Sequence, residues 1–539
     1  GISSKMKHSI RFIESLFFIV ITTTLGVGLG IFLSHMGLHI LATTMNTLYY
    51  TLTIDSITLH PIIFFKALLI SSCSVLIAIN PTIQTIEKKL LNTTKKTQWL
   101  LWTIGLFLGL FMIIIKPAQT WVAYLSMGGL IILSFFITLS LIAALSSLFS
   151  NLSATQFMMV KTAAFYIRKE IILSTAMVMA IALACGLFIS MSLFISSFQS
   201  AVANWITNST QADIYVQAKH NSIPNPIALK PLDIDQLTTH PATISWRTIS
   251  RDTLYINNKP IILRGLPYNN LEKEIQFISL LPTISKLENN QDVILISEAA
   301  AKKLNLAIGD TITIPIPDHP YTGIIAGIHI DYASEHGVIT ISESLMKKLY
   351  KDQYVIHGMS LMVEKDQAPL FINSFSHLVI QTNTQLQDYV IKMFKQTFGL
   401  TWVLASISGV IALFVLINML SVLTIDRRYE MIQLFSIGGQ KKHIMNLIFS
   451  HAMWISGVSL TMSLLVGFGL GYIILKTLTP TYFGWNIPLI LNFQPIIYLI
   501  VAMICITILT SYFAYRHIWV TILSNDQLHE SLKTHYFIR

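Results

Sequence analysis

Charged residues are scarce in this chain. Only 12% of its 539 residues are charged and 53% are hydrophobic, whereas soluble domains carry about 25% charged residues. This deficit excludes an ordinary cytosolic enzyme, a disordered chain and a nucleic-acid-binding protein. The formal net charge is +10, but Lys and Arg also accumulate on the cytoplasmic side of membrane proteins, so their placement decides more than their sum.

Cysteine is scarce as well, and enzyme motifs are missing. Cys73, Cys185 and Cys505 all lie in apolar runs, which predicts small buried residues rather than a disulfide framework or a zinc site. The sequence holds no H-E-x-x-H, no G-x-S-x-G and no G-x-x-x-x-G-K-[ST] phosphate loop, the signatures of zinc proteases, serine hydrolases and nucleotide-binding proteins. We therefore expect no catalytic, cofactor-binding or metal-binding residue here, and no nucleic-acid partner.

Long hydrophobic runs are abundant. About 20 helical residues span the hydrocarbon core of a bilayer, which is about 30 Å thick, and eight runs are near or above that length. They cover residues 12–34, 62–79, 99–115, 121–149, 171–198, 400–425, 447–475 and 495–515. The predicted fold class is a polytopic α-helical membrane protein with about eight transmembrane helices and one large α+β extracytoplasmic domain.

The distribution of basic residues predicts the orientation. If the N-terminus is cytoplasmic, seventeen Lys and Arg residues fall in the inside segments, and only Lys116 and Lys476 fall in the short outside loops. Cytoplasmic loops carry such an excess of Lys and Arg. Both termini are therefore predicted to be cytoplasmic, with residues 200–398 outside.

The segment 200–398 has the patterns of a mixed domain. Apolar and polar residues alternate in 212–216 and 311–314, and short apolar runs occupy 292–296, 321–330 and 337–341; these runs predict strands. Ser297 precedes the helix-favouring segment 298–304, which predicts a capped helix. Leu345 and Leu349, four residues apart, predict a helix over 342–350.

Polar residues at three places in the sequence could have either a functional or a purely structural role. One group near the middle of the outside segment could bind a metal, but its spacing matches no familiar site, and polar loop residues are the simpler interpretation. Its members are His319, His329, His336, Asp318, Asp331 and Glu335. His35 and His39 lie four apart at a membrane exit without an evident third ligand. Lys66 lies near the outer end of its run, where a lysine can extend to the interface.

The two ends of the chain repeat a pattern. Gly-Val-Gly-Leu-Gly in 26–30 matches Gly-Phe-Gly-Leu-Gly in 467–471, and each lies in a long apolar run that follows a basic segment. Glu14 and His451 lie thirteen residues after Gly1 and Gly438, respectively. A second apolar run follows each copy, which predicts two related halves.

The residues 426–439, Asp-Arg-Arg-Tyr-Glu-Met-Ile-Gln-Leu-Phe-Ser-Ile-Gly-Gly, carry a family resemblance. They resemble the cytoplasmic signature of FtsX-like ABC transporter permeases, roughly R-R-x-E-I-x-x-L-R-x-x-G-A. The segment 293–300, with Leu304 and 309–311 after it, resembles the outside domain of MacB-type permeases. Phe435 stands where the family often has Arg, Gly439 replaces the usual Ala, and His451 stands where Glu14 keeps the family's acidic residue.

The resemblance implies a domain plan with two fused permease repeats. Residues 1–80 would be the C-terminal part of the first repeat, and a further helix, outside domain and helix would precede residue 1. The rest would be a linker with two helices (81–165), the first helix of the second repeat (166–199), the outside domain (200–398), three helices (399–520) and a cytoplasmic tail (521–539).

The resemblance also implies partners and a site. The chain would be the permease subunit of a complex in the bacterial inner membrane, with ATP and Mg²⁺ on a separate cytoplasmic ABC ATPase present in two copies. Other implied partners are membrane lipid, a polypeptide carrying the missing first half, and a periplasmic protein. The predicted ATPase-coupling segment is 426–445. Its candidate contact residues are Arg427, Arg428, Glu430, Met431, Leu434, Phe435, Gly438, Gly439, Lys441 and Lys442.

Two interpretations of this segment and two of the function remain open. The apolar set of the segment, at helical spacing, could dock into a groove of the ATPase, or the segment could rest as an amphipathic helix on the membrane. The whole chain could export or extract a hydrophobic, envelope-associated substrate such as a lipid, lipoprotein, peptide or amphiphile. Alternatively, it could be a signalling scaffold that regulates a periplasmic hydrolase.

Overall fold

The fold was analysed in a computed structural model of the chain. The structure describes residues 13–32, 34–35, 61–79, 103, 107, 120–150, 158–219, 227–269, 271, 275–281, 292–316, 320–334, 336–364, 366–426, 428–436, 438 and 440–524.

Long helices account for most of the described residues outside the segment 200–398. Six helical spans among the described residues are long and apolar enough to cross a membrane: Ile13–Phe32, Trp121–Phe149, Ile171–Ser209, Thr401–Val422, Lys441–Tyr482 and Gln494–Val520. The predicted run 62–79 is helical over Pro61–Ile79. The predicted run 99–115 lies outside the described residues except for positions 103 and 107.

The helices are numbered in chain order. They are α1 (Ile13–Phe32), α2 (Pro61–Ile79), α3 (Thr120–Ser150), α4 (Met158–Lys169), α5 (Ile171–Ser209), α6 (Pro231–Thr239), α7 (Glu298–Leu304), α8 (Glu343–Tyr350), α9 (Ala368–Ser374), α10 (Asn383–Thr397), α11 (Gly399–Asp426), α12 (Arg428–Ser436), α13 (Lys441–Ile473), α14 (Thr479–Tyr482) and α15 (Gln494–Ser524). A π-helical segment, Ile474–Leu478, joins α13 to α14.

The helical bundle is centred on α5 and α13. Buried side chains of α5, α11, α13 and α15 form one apolar cluster, with Ile181, Ile189 and Met462 at most 1% exposed. Small residues let the two central helices approach closely, because a Cβ at Gly186 would lie 2.9 Å from Val466. Lipid tails are as apolar as the side chains of a membrane helix, so the hydrophobic effect does little to hold such helices together. Close packing contributes most of their association instead.

The outside domain is built on one mixed sheet. Its strands are β1 (Ile214–Ala218), β2 (Thr243–Ile256), β3 (Lys259–Leu266), β4 (Phe277–Leu280), β5 (Ile294–Ser297), β6 (Thr311–Ile314), β7 (Tyr321–His329), β8 (Val338–Ser342), β9 (Gly358–Val363) and β10 (Leu378–Thr382). The strand order is β10-β1-β9-β2-β3-β8-β5-β7-β4, and β6 pairs with β7. The β3–β8 and β5–β7 pairs are parallel, and the other pairs are antiparallel.

The long strand β2 connects two halves of this domain. Its first half pairs with β9 and its second half pairs with β3. Each half has its own core: one lies under α6 and α9 and includes Phe371, and the other lies under α7 and α8 and includes Ile339. The chain enters the domain from α5 and leaves it through β10 and α10.

Several local expectations are confirmed. The hydroxyl of Ser297 accepts a hydrogen bond from the backbone N–H of Ala300, which caps the predicted helix over Glu298–Leu304. The helix after Ser342 covers Glu343–Tyr350. The membrane–domain boundary differs, because α5 continues to Ser209, about ten residues beyond the predicted end of the span.

Candidate functional site

The predicted coupling segment contains a short helix between two long ones. Helix α12 (Arg428–Ser436) lies between α11 and α13. Its Glu430 side chain is exposed, whereas Met431 is only 6% exposed. Arg427 and Gly439 lie outside the described residues, and the structure describes the backbone of Arg428 but not its side chain.

The apolar face of α12 packs against the chain itself. Met431 joins Ile444, Ile448 and Ile518 in a buried cluster, and Leu434 and Phe435 are half-buried beside it. The Phe435 ring meets Trp519 edge-on, with 5.4 Å between the ring centroids. The apolar set that the sequence offered to a partner's groove therefore already covers the ends of α13 and α15.

The residues after α12 turn the chain into α13. Gly438 has a φ of +99°, a conformation that residues with a Cβ rarely adopt. Lys441 and Lys442 open α13 and are exposed, and the Lys441 ammonium lies 4.0 Å from the centroid of the Trp519 ring. The predicted contact residues that the structure shows to be exposed are Glu430, Gly438, Lys441 and Lys442.

A small cavity lies beneath α12. It is enclosed by residues of α11, α12, α13 and α15: Leu420, Met431, Ile448, His451, Ala452, Thr510 and Ser511. His451, at the position where the family resemblance predicts an acidic residue, is 4% exposed. The coupling helix therefore covers the point where three long helices meet.

A second site, which the sequence did not predict, joins the outside domain to the membrane helices. The Glu298 carboxylate accepts a hydrogen bond from the backbone N–H of Asn486 at 3.0 Å and pairs with Lys302 at 2.8 Å. The Lys476 ammonium donates to the side-chain oxygen of Asn486 at 3.0 Å. We call this contact, between residues 298–299 and the loop 483–487 that precedes α15, the outer joint.

Gly484 lets the two parts of the outer joint meet. Its φ is +75°, and a Cβ there would lie 2.6 Å from the Cα atom of Ala299. Real Cβ atoms do not approach backbone atoms so closely. Both its conformation and its surroundings therefore require glycine.

Aromatic rings fill the rest of the outer joint. The ring centroid of Phe198, in α5, lies 4.7 Å from that of Phe398 and 5.7 Å from that of Trp485. The ring centroid of Tyr332, in the outside domain, lies 5.7 Å from that of Trp485. Burial and the nearby Glu298 carboxylate raise the pKa of Tyr332 to about 12. Each such ring pair contributes about 0.5–1.5 kcal/mol beyond its buried area.

Sequence signals for the outer joint were present but not specific. Gly484 and Trp485 stand together in a short loop between two apolar runs, where a glycine often marks a close approach. Glu298 was predicted only as the first residue of a capped helix. Nothing in the sequence indicated that these residues, nearly two hundred positions apart, would touch.

The candidate metal-binding group is not assembled among the described residues. They hold no group of three or more His, Cys, Asp or Glu residues that could bind a metal. His329 is fully buried, and its pKa is lowered to about 4 by burial and by Arg264. His329 is the last residue of β7, so its interpretation as a loop residue was wrong. Asp331 does lie in a loop, where it forms an ion pair with Arg264 at 2.9 Å. Asp318, His319, Glu335 and His39 lie outside the described residues.

Known protein families are similar to both the outside domain and the C-terminal membrane helices of the chain. The model of the FtsX-like permease C-terminal family matches residues 402–519, and that of the MacB-like periplasmic core domain matches residues 174–366. An uncharacterised ABC transporter permease of Mycobacterium tuberculosis is 20% identical over 534 residues, which cover 90% of this chain and 60% of the relative. The chain thus spans about 60% of the length of the curated relative it matches.

Two solved outside domains are also similar. The periplasmic region of MacB from Actinobacillus actinomycetemcomitans has 15% identity and a TM-score of 0.24, over 34% of this chain and 93% of that one. The extracellular domain of the noncanonic ABC-type transporter YknZ from Gram-positive bacteria has 12% identity and a TM-score of 0.23, over 32% of this chain and 98% of that one.

Proposed function

Since the chain belongs to the ABC transporter permeases of the FtsX-like, MacB type, we propose that it transmits ATP-driven motion from the cytoplasm to its outside domain. The motion would export or extract a hydrophobic, envelope-associated substrate such as a lipid, lipoprotein, peptide or amphiphile. A permease of this family is not itself an ATPase, so ATP and Mg²⁺ would bind to a separate cytoplasmic subunit, present as two copies. The complex would lie in a bacterial inner membrane, with both termini in the cytoplasm.

The observation that carries the proposal is the path of α13. This helix begins at Lys441, in the coupling segment, and runs through 33 residues to Ile473, about 50 Å at 1.5 Å per residue. Its continuation through Ile474–Leu478 and α14 leads directly to Gly484 and Trp485 of the outer joint. One continuous element therefore links the predicted ATPase contact to the outside domain.

The packing of α13 supports transmission rather than independent movement. Its small residues lie directly against α5, which itself enters the outside domain at Ser209. Helices that interlock at backbone distance resist sliding past one another. A force applied near Lys441 would therefore reach the outer joint through α13 and the domain entrance through α5.

The first test is the ATPase partner. The whole chain, purified gently in detergent with a C-terminal tag, should retain a Walker-type ATPase, identified by mass spectrometry. Candidate substrates should stimulate ATP hydrolysis by this complex. A chain that retains no ATPase would contradict the proposal.

Charge reversal on the coupling surface sharpens the test. Glu430→Lys should weaken ATPase retention about tenfold, because Glu430 is an exposed charge on α12, and one charge-assisted contact contributes about 1.5–3 kcal/mol. Glu364→Lys, an identical change at an exposed position of the outside domain, is the matched control. Equal retention by both variants would refute the coupling assignment. Retention of ATPase without substrate stimulation, together with specific binding of an outside hydrolase, would favour the signalling alternative.

A further inference from the structure

Helix α4 (Met158–Lys169) uses one of its sides to pack against the membrane helices. Ala163, Ala164 and Ile167 are at most 3% exposed, and they lie on one side because residues three and four apart are neighbours on a helix. The two alanines are small enough to bring α4 close to α3 and α13, against which it packs. This side of the helix is therefore already covered by the chain.

The other side of α4 combines one aromatic ring with three basic residues. Phe165 is 65% exposed, and Lys161, Arg168 and Lys169 are exposed as well. The bases lie four positions before, three after and four after Phe165, spacings that place them beside its ring on the helix surface. Among the described residues, no acidic group forms an ion pair with any of the three. We call these four residues the basic face of α4.

Helix α4 lies at the end of the membrane helices that is opposite to the outside domain. Helix α5 starts at Ile171, two residues after α4 ends, and its other end, Ser209, leads into the outside domain. Since α5 is long and apolar enough to cross a membrane, α4 lies at the cytoplasmic surface. Glu170, between the two helices, has a φ of −119° and a ψ of 50°, so α4 is a separate helix and not the first turns of α5.

The packing of α4 places it nearer to the membrane than the coupling helix α12. Ile167 belongs to the apolar cluster of the helical bundle, in which the buried residues of α13 begin at Ala452. Helix α12 belongs to another cluster, in which the buried residues of α13 are Ile444 and Ile448, closer to its cytoplasmic end. An exposed surface at the level of α4 therefore faces the lipid headgroups before it faces a soluble subunit.

We infer that the basic face of α4 binds the anionic headgroups of phospholipids in the cytoplasmic leaflet. The ring of Phe165 enters the boundary between headgroups and acyl chains, and the three basic side chains extend to the phosphates, as in other amphipathic helices that lie on membranes. Charge complementarity selects anionic over zwitterionic lipid, since each Lys or Arg near an anionic surface strengthens binding about fivefold. Bound lipid would hold α4, and with it the cytoplasmic part of the bundle, at the membrane surface.

The test measures which lipid touches α4, and it uses the whole chain without any ATPase, so its result does not depend on the proposed coupling. The chain is reconstituted in phosphatidylcholine vesicles that contain a small amount of phosphatidylglycerol or of phosphatidylcholine with a photoreactive headgroup. Mass spectrometry of peptides after illumination gives the labelling of 158–169. We expect labelling by the anionic probe to exceed labelling by the zwitterionic probe at least about tenfold.

Charge removal on the helix tests the assigned residues. Lys161→Gln with Arg168→Gln should lower labelling of α4 by the anionic probe at least about tenfold. Lys441→Gln with Lys442→Gln is the matched control, because it removes the same charge from exposed residues on the same side of the membrane. It should leave the labelling of α4 unchanged.

A second measurement covers a variant that does not fold, as judged by circular dichroism. Raising the salt from about 0.05 M to about 0.5 M should lower anionic labelling of the unchanged chain severalfold, because salt screens exposed charges. Equal labelling by the two probes, or equal labelling of the unchanged chain and the folded α4 variant, would overturn the inference. Protection of α4 from the lipid probe by a bound ATPase would also overturn it and would assign the basic face to that subunit.

Discussion

The coupling segment and the outer joint both depend on a glycine with positive φ, but they use it differently. Gly438 turns the chain with open space around it, whereas Gly484 presses against the backbone of Ala299. Around Gly438 the exposed residues are polar. Around Gly484 the neighbours are buried aromatic rings and the Glu298 carboxylate. The described part of the coupling segment thus exposes polar side chains, whereas the outer joint is occupied by the chain's own domain.

The largest expected effect comes from adding one methyl group at each glycine. Gly438→Ala should cost about 1–2 kcal/mol, the strain of a left-handed conformation. Gly484→Ala should cost more than about 3 kcal/mol, because overlap with Ala299 adds to that strain. Thermal unfolding of the purified chain in detergent measures both. Equal losses would show that the outer joint is not closely packed.

Truncation of Met431 tests the packing of the coupling segment without affecting the outer joint. Met431→Ala should destabilise the packing of α12 by about 2–3 kcal/mol, because the side chain is buried and a cavity already lies beside it. Hydrogen exchange of the amides in α12 should speed up, while exchange in the outer joint should not change. Glu430→Ala, on the exposed side of the same helix, is the control and should change exchange little.

Acid should affect the outside domain through His329. Its folded pKa, about 4, is below the usual value of 6.5, so the unfolded chain binds the proton more readily. This contribution to stability is complete above about pH 6.5 and is lost as the pH falls toward 4, up to about 3 kcal/mol. Denaturant unfolding of the chain between pH 7 and 4 measures it. His329→Leu should flatten this pH dependence; an unchanged slope would assign it to other groups.

The smallest expected effect is at Lys441. Lys441→Met should destabilise the coupling segment by about 0.5–1 kcal/mol, since the ammonium lies over the Trp519 ring. Lys442→Met removes the same charge from the neighbouring exposed position and should have less effect. Hydrogen exchange at the start of α13 compares the two. A larger loss for Lys442→Met would contradict the assigned contact.

Much of the fold could be predicted because its signals are local. Six of the eight predicted apolar runs lie in helices long enough to span a membrane, since length and hydropathy are properties of consecutive residues. Their ends were predicted less well, because α5 continues to Ser209. The capped helix after Ser297 was predicted from a few residues for the same reason. Strands β2, β3, β4, β9 and β10 were not predicted, because their patterns depend on which neighbours cover each side.

In the coupling segment, too, the local pattern did not predict which neighbours cover a helix. The spacing of Met431, Leu434 and Phe435 correctly predicted an apolar side of α12, but not what that side contacts. Periodicity identifies the buried side of a helix and leaves the identity of the partner open. Here the partner is the chain itself, through Ile448 and Trp519.

The sequence by itself determined that the chain crosses the membrane repeatedly and carries one large domain outside, because both follow from the order of apolar and polar residues. The residues of 426–439 and 293–300 also indicated the resemblance to FtsX-like and MacB-like proteins, and the models of those two families match residues 402–519 and 174–366. Only the tertiary structure decided that Glu298 and Ala299 meet Asn486 and Gly484, and that α13 joins the two sites. Contacts between residues far apart in the chain depend on how the helices and the sheet pack, and no local pattern encodes that arrangement.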